Sequence, residues 1–247
     1  MATVILVRHG RTTANASGVL AGRLAGVRLD DVGEGQASRA AARIAAVPIA
    51  ALVSSPQERC QQTAQYVAKA SPTSLSIATE DGIAECDYGE WQGRPLKDLA
   101  QEPLWKVVQT QPSAASFPGG EAMSTMYSRA VAAIRGLDAQ IAADHGKDAV
   151  WVAVSHGDII KAVLADALGM HLDLFQRLHV DPASISIVRY TATRPYVMVS
   201  NSHAGDLDWL APKPADPEAA GEPSGADADS TADDAVVGGG AGPRSGQ

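Results

Sequence analysis

Cysteine is scarce in this chain of 247 residues: Cys60 and Cys86 are the two it has. Neither lies in a CxxC or a Cys/His ligand pattern, so no thiol-based metal site is expected. Two cysteines in a chain of this size suit a reducing compartment, and nothing supports a disulfide between them. Positive charge is also short, with 20 Lys and Arg against 28 Asp and Glu and a net charge of −8. That argues against a general binder of nucleic acid or membrane surfaces, which shows a basic face. Any anionic ligand must be met by a local cluster of Arg or Lys. Long apolar runs are missing as well, and none is long enough to span a bilayer. The first residues lack the basic flank and apolar stretch of a secretory leader. A cytoplasmic, enzyme-sized domain is the expectation.

The chain has enough apolar residues, 45%, to build a substantial core. Their supply stops near Trp209–Pro212. Beyond it, residues 211–247 carry seven acids (Asp216, Glu218, Glu222, Asp227, Asp229, Asp233, Asp234) against Lys213 and Arg244. That segment therefore holds −5 of the −8 and leaves −3 for the remainder. Rich in Gly, Pro and Ala, it is expected to be a disordered acidic tail following a domain over 1–210.

Within 1–210, strand and helix signals alternate. Thr3–Val7, Ile49–Val53, Leu75–Ala78 and Ala149–Val154 are short apolar runs that read as strands. Gly33–Val47, Pro56–Ala70, Glu121–His145 and Asp158–Leu168 read as helices. In the third of these, Met123, Tyr127, Ala130, Ile134, Leu137 and Ile141 recur at three- and four-residue steps. Ser184–Tyr190 and Tyr196–Ser200 read as a hairpin, whose apolar edge is a candidate either for pairing across a two-fold axis in a homo-oligomer or, equally, for packing within the sheet. Residues 86–118 are irregular, with a helical stretch at Leu104–Val108, and form a lid-like insertion. The alternation predicts an α/β fold: a three-layer αβα sandwich around a mostly parallel sheet.

In such sheets ligands bind beyond the carboxyl ends of the strands. Arg8, His9 and Gly10 follow the first strand. Ser54, Ser55 and then Arg59 follow the second. Ser155, His156 and Gly157 follow the strand at 149–154. Two arginines and two histidines from three segments thus reach one edge of the sheet. Two guanidiniums in one pocket suit a dianion, and the start of the helix after Gly157 adds backbone N–H groups. A phosphate group fits this set better than a carboxylate. Cations beside His9 disfavour imidazolium, which leaves a neutral nucleophile aimed at phosphorus. His156 is placed to donate to the equatorial oxygens, and a carboxylic acid must protonate the leaving group. Glu85 in "GIAECDYGEWQG" is the best candidate, with Asp87 and Glu90 as substitutes.

A lone histidine after a strand is usually structural. His9 escapes that reading because the same placement recurs at Arg8, Arg59 and His156. His145, His171, His179 and His203 have no such company, and Arg23, Arg28 and Arg43 are more often solvated than functional. Glu121 fits the first turn of a helix. Asn15 either caps its loop or donates an amide N–H to phosphate, and spacing does not choose between them.

"LVRHGRTTAN" resembles the RHG signature of the histidine phosphatase superfamily, whose fold is also called phosphoglycerate mutase-like. The likeness continues, in the family's order, through "LDDVGEGQA", "VSSPQERCQQTA", "IAECDYGEWQG", "FPGGEA" and "VSHGDIIKAVL", over roughly residues 3–205. RHG alone is weak, but six ordered motifs are specific. The resemblance implies that His9 is phosphorylated and that Arg8, Arg59 and His156 complete a phosphate pocket. It adds Asn15 as a phosphate contact, Gly22 as backbone near the substrate and Glu85 as proton donor. It implies no metal or organic cofactor. Two departures stand out: Gln57, where the family often has Leu, and Cys60, where it often has Ala. Both are expected to alter packing more than chemistry.

Three activities are compatible with these residues. A phosphomonoester hydrolase passes the phosphoryl group to water. A mutase returns it to another hydroxyl, and dedicated phosphoglycerate mutases carry a long basic insertion for a second anionic group. Here the matching segment, 86–118, holds only Arg94, Lys97 and Lys106 as cations. It also holds Trp91, Leu104, Trp105, Val107, Val108 and Phe117, half of them expected in the core and the rest over an apolar leaving group. The third activity, a non-catalytic phosphoryl-ligand binding module, requires loss of catalytic residues that are all present. A hydrolase of small phosphorylated substrates is the expectation.

Overall fold

The computed structural model describes residues 1–203 together with Val237, Gly238 and Gly240. The expected tail over 211–247 otherwise lies outside the described residues, as does the expected boundary at 210.

Six strands form one sheet in the order β3-β2-β4-β1-β5-β6. They are β1 (Thr3–Arg8), β2 (Ala51–Ser54), β3 (Ile77–Thr79), β4 (Val150–Ser155), β5 (Ile185–Arg189) and β6 (Tyr196–Ser202). The first four in that order run parallel, whereas β5 is antiparallel to β1 and β6 to β5. The expected hairpin therefore packs within the sheet, with β6 as its edge.

Alternation along β1 builds the layers. Val4 and Leu6 join an apolar cluster with Met126 and Ile134 of helix α6 (Met123–His145) and Ile160 and Val163 of helix α7 (Gly157–Ala167). Ile5 and Val7 join the opposite cluster with Ala40 and Ile44 of α2 (Asp31–Ile44) and Ala64 and Val67 of α3 (Glu58–Ala70). The αβα sandwich is thus present, with a mixed but mostly parallel sheet.

Helix ends differ from the sequence expectation for local reasons. Helix α2 starts before Gly33 because Asp30 caps it, accepting from the Gly33 N–H at 2.8 Å. Helix α6 starts at Met123, so Glu121 lies outside its first turn. There the Glu121 carboxylate joins Arg129 at 2.6 Å and Arg23 at 3.0 Å instead. The short helix α1 (Thr13–Ser17) was not foreseen. Between β3 and α6 lie two more helices, α4 (Leu96–Leu99) and α5 (Pro103–Thr110), in the segment read as an insertion. Trp91, Leu99, Val108 and Phe117 from this segment are buried, and Trp105 stacks on Trp91 at 6.2 Å.

Register sets the level of the strand ends. Arg8 lies opposite Ser155, and Ser54 opposite Val154, so β1, β4 and β2 finish together. The next residues continue the pattern: the His9 N–H donates to the Ser155 carbonyl at 2.9 Å and the Ser55 N–H to the Val154 carbonyl at 2.9 Å.

Candidate active site

Arg8, His9, Arg59, Glu85 and His156 are all buried, and they meet beyond these strand ends. The Arg59 Nε–H donates to His9 Nε2 at 3.2 Å, and Arg59 Nη2 lies 3.2 Å from His156 Nδ1. The two imidazole rings stand edge to face, 5.3 Å apart. Glu85 Oε2 is 3.5 Å from His156 Nδ1 and 3.9 Å from Arg59 Nη2. Arg8 is anchored through Nη1, which donates to the Val180 carbonyl at 2.8 Å. Arg59 Nη1 is buried with no hydrogen-bond partner among the described residues. A buried guanidinium donor of that kind calls for an acceptor.

His9 Nδ1 lies 2.7 Å from the Gly10 carbonyl, which can only accept, so Nδ1 carries the proton. Nε2 is left as the acceptor toward Arg59. Burial holds the His9 pKa well below the ordinary histidine value, and Arg59 and Arg8 lower it further. The neutral imidazole expected from neighbouring cations is therefore enforced first by desolvation.

His156 is held from its other side. Its Nε2 lies 2.7 Å from Ser55 Oγ and 3.0 Å from Gln57 Oε1, while the Ser55 hydroxyl donates to Gln57 Oε1. An oxygen cage of this kind selects the Nε2–H tautomer and turns Nδ1 toward Arg59. Gln57 Oε1 also lies 3.3 Å from the Glu85 backbone N–H. Gln57, expected to alter packing more than chemistry, thus touches two members of the cluster. Cys60 Sγ sits 3.4 Å from His156 Nε2, but burial pushes its thiol up to about 12, so it stays protonated.

Glu85 has the opposite perturbation to a surface carboxylate. Burial and then the nearby Asp158 push its pKa up to about 7, against the pull of Arg59. Its backbone carbonyl accepts from Arg23 Nε at 2.7 Å and Arg129 Nη2 at 3.0 Å. Arg23 was read as solvated, and Arg129 was not singled out. Both brace the loop that carries Glu85. Neither of the two substitutes, Asp87 and Glu90, lines the cavity beside His9.

That cavity is lined by His9, Thr12, Asn15, Arg59 and Glu85, with Val19–Gly22, Leu96, Val237, Gly238 and Gly240. Asn15 does cap: its Oδ1 accepts from the Thr12 N–H at 3.1 Å and the Thr12 hydroxyl at 2.8 Å. That leaves its amide NH2 as the group able to donate. The Gly22 carbonyl accepts from Arg59 Nη2 at 2.8 Å and so orients the guanidinium. Gly157 opens α7, with His156 as the residue before its first turn. Leu96 alone comes from the segment expected to form a lid. No group of acidic, His and Cys side chains able to hold a metal occurs among the described residues. No helix among them is long and apolar enough to cross a membrane.

A family model described as the histidine phosphatase superfamily (branch 1) matches residues 4–203. The bifunctional protein Rv2228c of Mycobacterium tuberculosis is 34% identical over 191 residues, covering 76% of this chain and 50% of the relative. The chain thus spans about half the length of that curated relative. Phosphoserine phosphatase 1 of Hydrogenobacter thermophilus is 29% identical over 212 residues, covering 84% of this chain and 96% of the relative. The probable phosphoglycerate mutase GpmB of Yersinia enterocolitica is 32% identical over 192 residues, covering 77% and 86%. Among solved structures, a mycobacterial glucosyl-3-phosphoglycerate phosphatase superposes with a TM-score of 0.71 at 24% identity, covering 81% of this chain and 98% of that one. At that identity the likeness concerns the fold.

Proposed function

The chain belongs to the histidine phosphatase superfamily, and from that premise we propose that it is a phosphomonoester hydrolase working through a phosphohistidine on His9. The observation that carries this reading is the pairing of a neutral His9 with a Glu85 whose pKa is about 7. Two titratable groups with environments that push them apart are suited to nucleophile and acid roles.

In this mechanism the phosphate dianion sits against Arg59, Arg8 adds its charge from outside the cavity lining, and Arg59 Nη1 gains its acceptor. The His9 Nε2 lone pair attacks phosphorus as the ester P–O bond breaks, and the leaving oxygen takes the Glu85 proton. The added negative charge favours uptake of a solvent proton at His156 Nδ1, from which the ring donates to the equatorial oxygens, and this proton returns to solvent when phosphate leaves. In the second half, Glu85 as carboxylate takes a proton from water. The water oxygen bonds to phosphorus, the P–N bond breaks, and inorganic phosphate leaves with His9 neutral and Glu85 protonated again. No cofactor is needed in either half.

Hydrolase is favoured over mutase because Arg59 is the one cation lining the cavity among the described residues. A second anionic group on the substrate has no obvious partner there. The intact cluster of His9, Arg59, Glu85 and His156 also speaks against a non-catalytic binding module.

The test is hydrolysis of an aryl phosphate by the wild type and by His9→Ala, with trapping of an acid-labile, base-stable phosphoenzyme. Retained turnover in His9→Ala removes the nucleophile assignment. Incubation with 3-phosphoglycerate and a trace of the 2,3-bisphosphate separates the mutase: efficient isomerisation with little phosphate release overturns the hydrolase reading.

A further inference from the structure

The acidic C-terminal segment was expected to be solvated throughout, yet part of it reaches the cavity. Val237 is 1% exposed and belongs to the apolar cluster that also contains Leu20 and Tyr88. The Gly238 N–H donates to Asp158 Oδ2 at 3.1 Å. The same oxygen accepts from the Tyr88 hydroxyl at 2.8 Å, and Lys161 Nζ lies 3.7 Å from the other. Gly238 has φ +74, and a Cβ there would lie 3.0 Å from Leu20 Cδ1 and 3.6 Å from the Tyr88 hydroxyl. The docking is thus specific: a buried valine, a hydrogen bond to a fully buried carboxylate and a position that favours glycine.

Val237, Gly238 and Gly240 line the cavity that also contains His9, Arg59 and Glu85. We infer that this segment is the outer wall of the substrate pocket and restricts the leaving group to a compact, uncharged one. The inference rests on the hydrolase reading only in calling the bound group a leaving group. Three features favour a wall over a plug. The segment carries no side-chain charge, so it cannot compete with a phosphate for the guanidiniums. Its anchor is Asp158 in α7, not a group that would hold the dianion. Its neighbours around the cavity, Val19, Leu20, Ala21 and Leu96, are apolar, so they continue the same surface. With these residues in place the cavity beside His9 is small. A bulky ester group therefore has to displace the wall.

The Asp158 carboxylate that anchors Gly238 is also the charge that, after burial, raises the Glu85 pKa. Wall and proton donor consequently share one buried anion.

The experiment measures binding, so it does not depend on turnover. Phenylphosphonate and 2-naphthylphosphonate are titrated calorimetrically into the full chain and into Val237→Asp and Gly238→Val. The wild type is expected to prefer the phenyl compound by about tenfold, the scale of size discrimination in a tight pocket. Both variants are expected to lose most of that preference by binding the naphthyl compound more tightly. An unchanged preference overturns the inference. So does equal tightening of both ligands, which is the mark of a plug, and so does failure of the wild type to bind either. Amide exchange supplies a second readout on the unmodified chain: the Gly238 amide is expected to be protected, and exchange at the rate of unstructured chain overturns the docking. If the wild type binds as expected but hydrolyses no monoester, the hydrolase reading fails and the wall stands.

Discussion

The Arg59 Nε–H donates to His9 Nε2 across 3.2 Å, so the guanidinium occupies the lone pair that the proposed chemistry requires. This contact keeps the imidazole neutral and aimed, and it must yield when phosphorus arrives. Arg59 also holds the Gly22 carbonyl and faces both His156 and Glu85. Its substitution is therefore expected to affect more than charge. Arg59→Lys keeps the charge but loses the planar fork. The expected loss in kcat/KM is about 10²–10³-fold, comparable to removal of one preorganised donor. Steady-state kinetics on an aryl phosphate check this, and a loss below threefold, on the order of 0.7 kcal/mol, contradicts it.

A second expectation concerns pH. Glu85 must be protonated to serve the leaving group, and its pKa is about 7. His9 must be neutral, and its pKa is well below the ordinary histidine value. Activity on an alkyl monoester is therefore expected to hold at mildly acidic pH and to fall as pH rises through about 7. Glu85→Gln is expected to lose about 10²–10⁴-fold on such a substrate and less on an aryl ester with an acidic leaving group. Rate profiles for the two ester types show whether the alkaline limb belongs to Glu85: a limb that persists in Glu85→Gln belongs to another group.

The same residue makes a stability prediction with a definite sign. A carboxyl whose folded pKa lies above its unfolded value favours the native state less as pH rises, because the unfolded chain ionises first. The handicap begins near 4.5, the unperturbed value, and is complete above about 7. Glu85→Gln removes it. At pH 8 the variant is expected to be more stable than wild type by about 3 kcal/mol and to melt higher, with little difference at pH 4. A variant less stable at pH 8 would show that hydrogen bonding of the Glu85 carboxyl outweighs its desolvation.

Gln57 supplies a fourth. Its Oε1 lies 3.0 Å from His156 Nε2 and accepts from Ser55. In Gln57→Leu the His156 proton keeps Ser55 and, more weakly, Cys60 Sγ as partners. The expected cost is about 1 kcal/mol, a three- to tenfold fall in kcat. As a positioning residue Gln57 should also shift the pH profile, which mere repacking would not. Unchanged kcat and profile would restore the packing role that the sequence suggested.

Most of the fold was legible because β1, β2 and β4 are buried on both faces and read as unbroken apolar runs, while α3 and α6 carry a clear helical period. The cluster was legible because Arg8 ends a strand and Arg59 and His156 follow theirs within a few residues, and a parallel sheet brings such positions to one edge. What escaped reading depends on contacts distant in sequence. Arg23 and Arg129 reach the Glu85 carbonyl from 62 and 44 residues away. Gln57 acts through a side-chain amide whose direction no spacing reveals. Val237 was passed over because a lone apolar pair among Gly and Asp carries no periodicity. Glu121 was misplaced because helix α6 begins two residues later than its acidic flank suggested.

The last prediction concerns why "LDDVGEGQA" accompanies "RHG". Asp30 and Gly33 at the start of α2 lie directly under the loop that carries His9. Arg11 Nε donates to Asp30 Oδ2 at 2.8 Å, and the Arg11 N–H donates to Gln36 Oε1 at 2.9 Å. A Cβ on Gly33 would collide with the Arg11 carbonyl oxygen, and one on Gly10 would collide with the Gly33 carbonyl oxygen. Both obstacles are backbone, so neither can swing aside. Gly33→Ala is therefore expected to push the 9–11 loop away from α2. The expected cost is about 2 kcal/mol of stability, a fall in melting temperature of about 4–8 °C. The displacement should carry His9 with it and lower kcat more than KM, because attack geometry tolerates little error. Gly35→Ala, in the same helix, meets only the Arg39 side chain at 3.5 Å and serves as the control. Equal effects of the two substitutions would mean that helix propensity, not the approach to Arg11, governs this position.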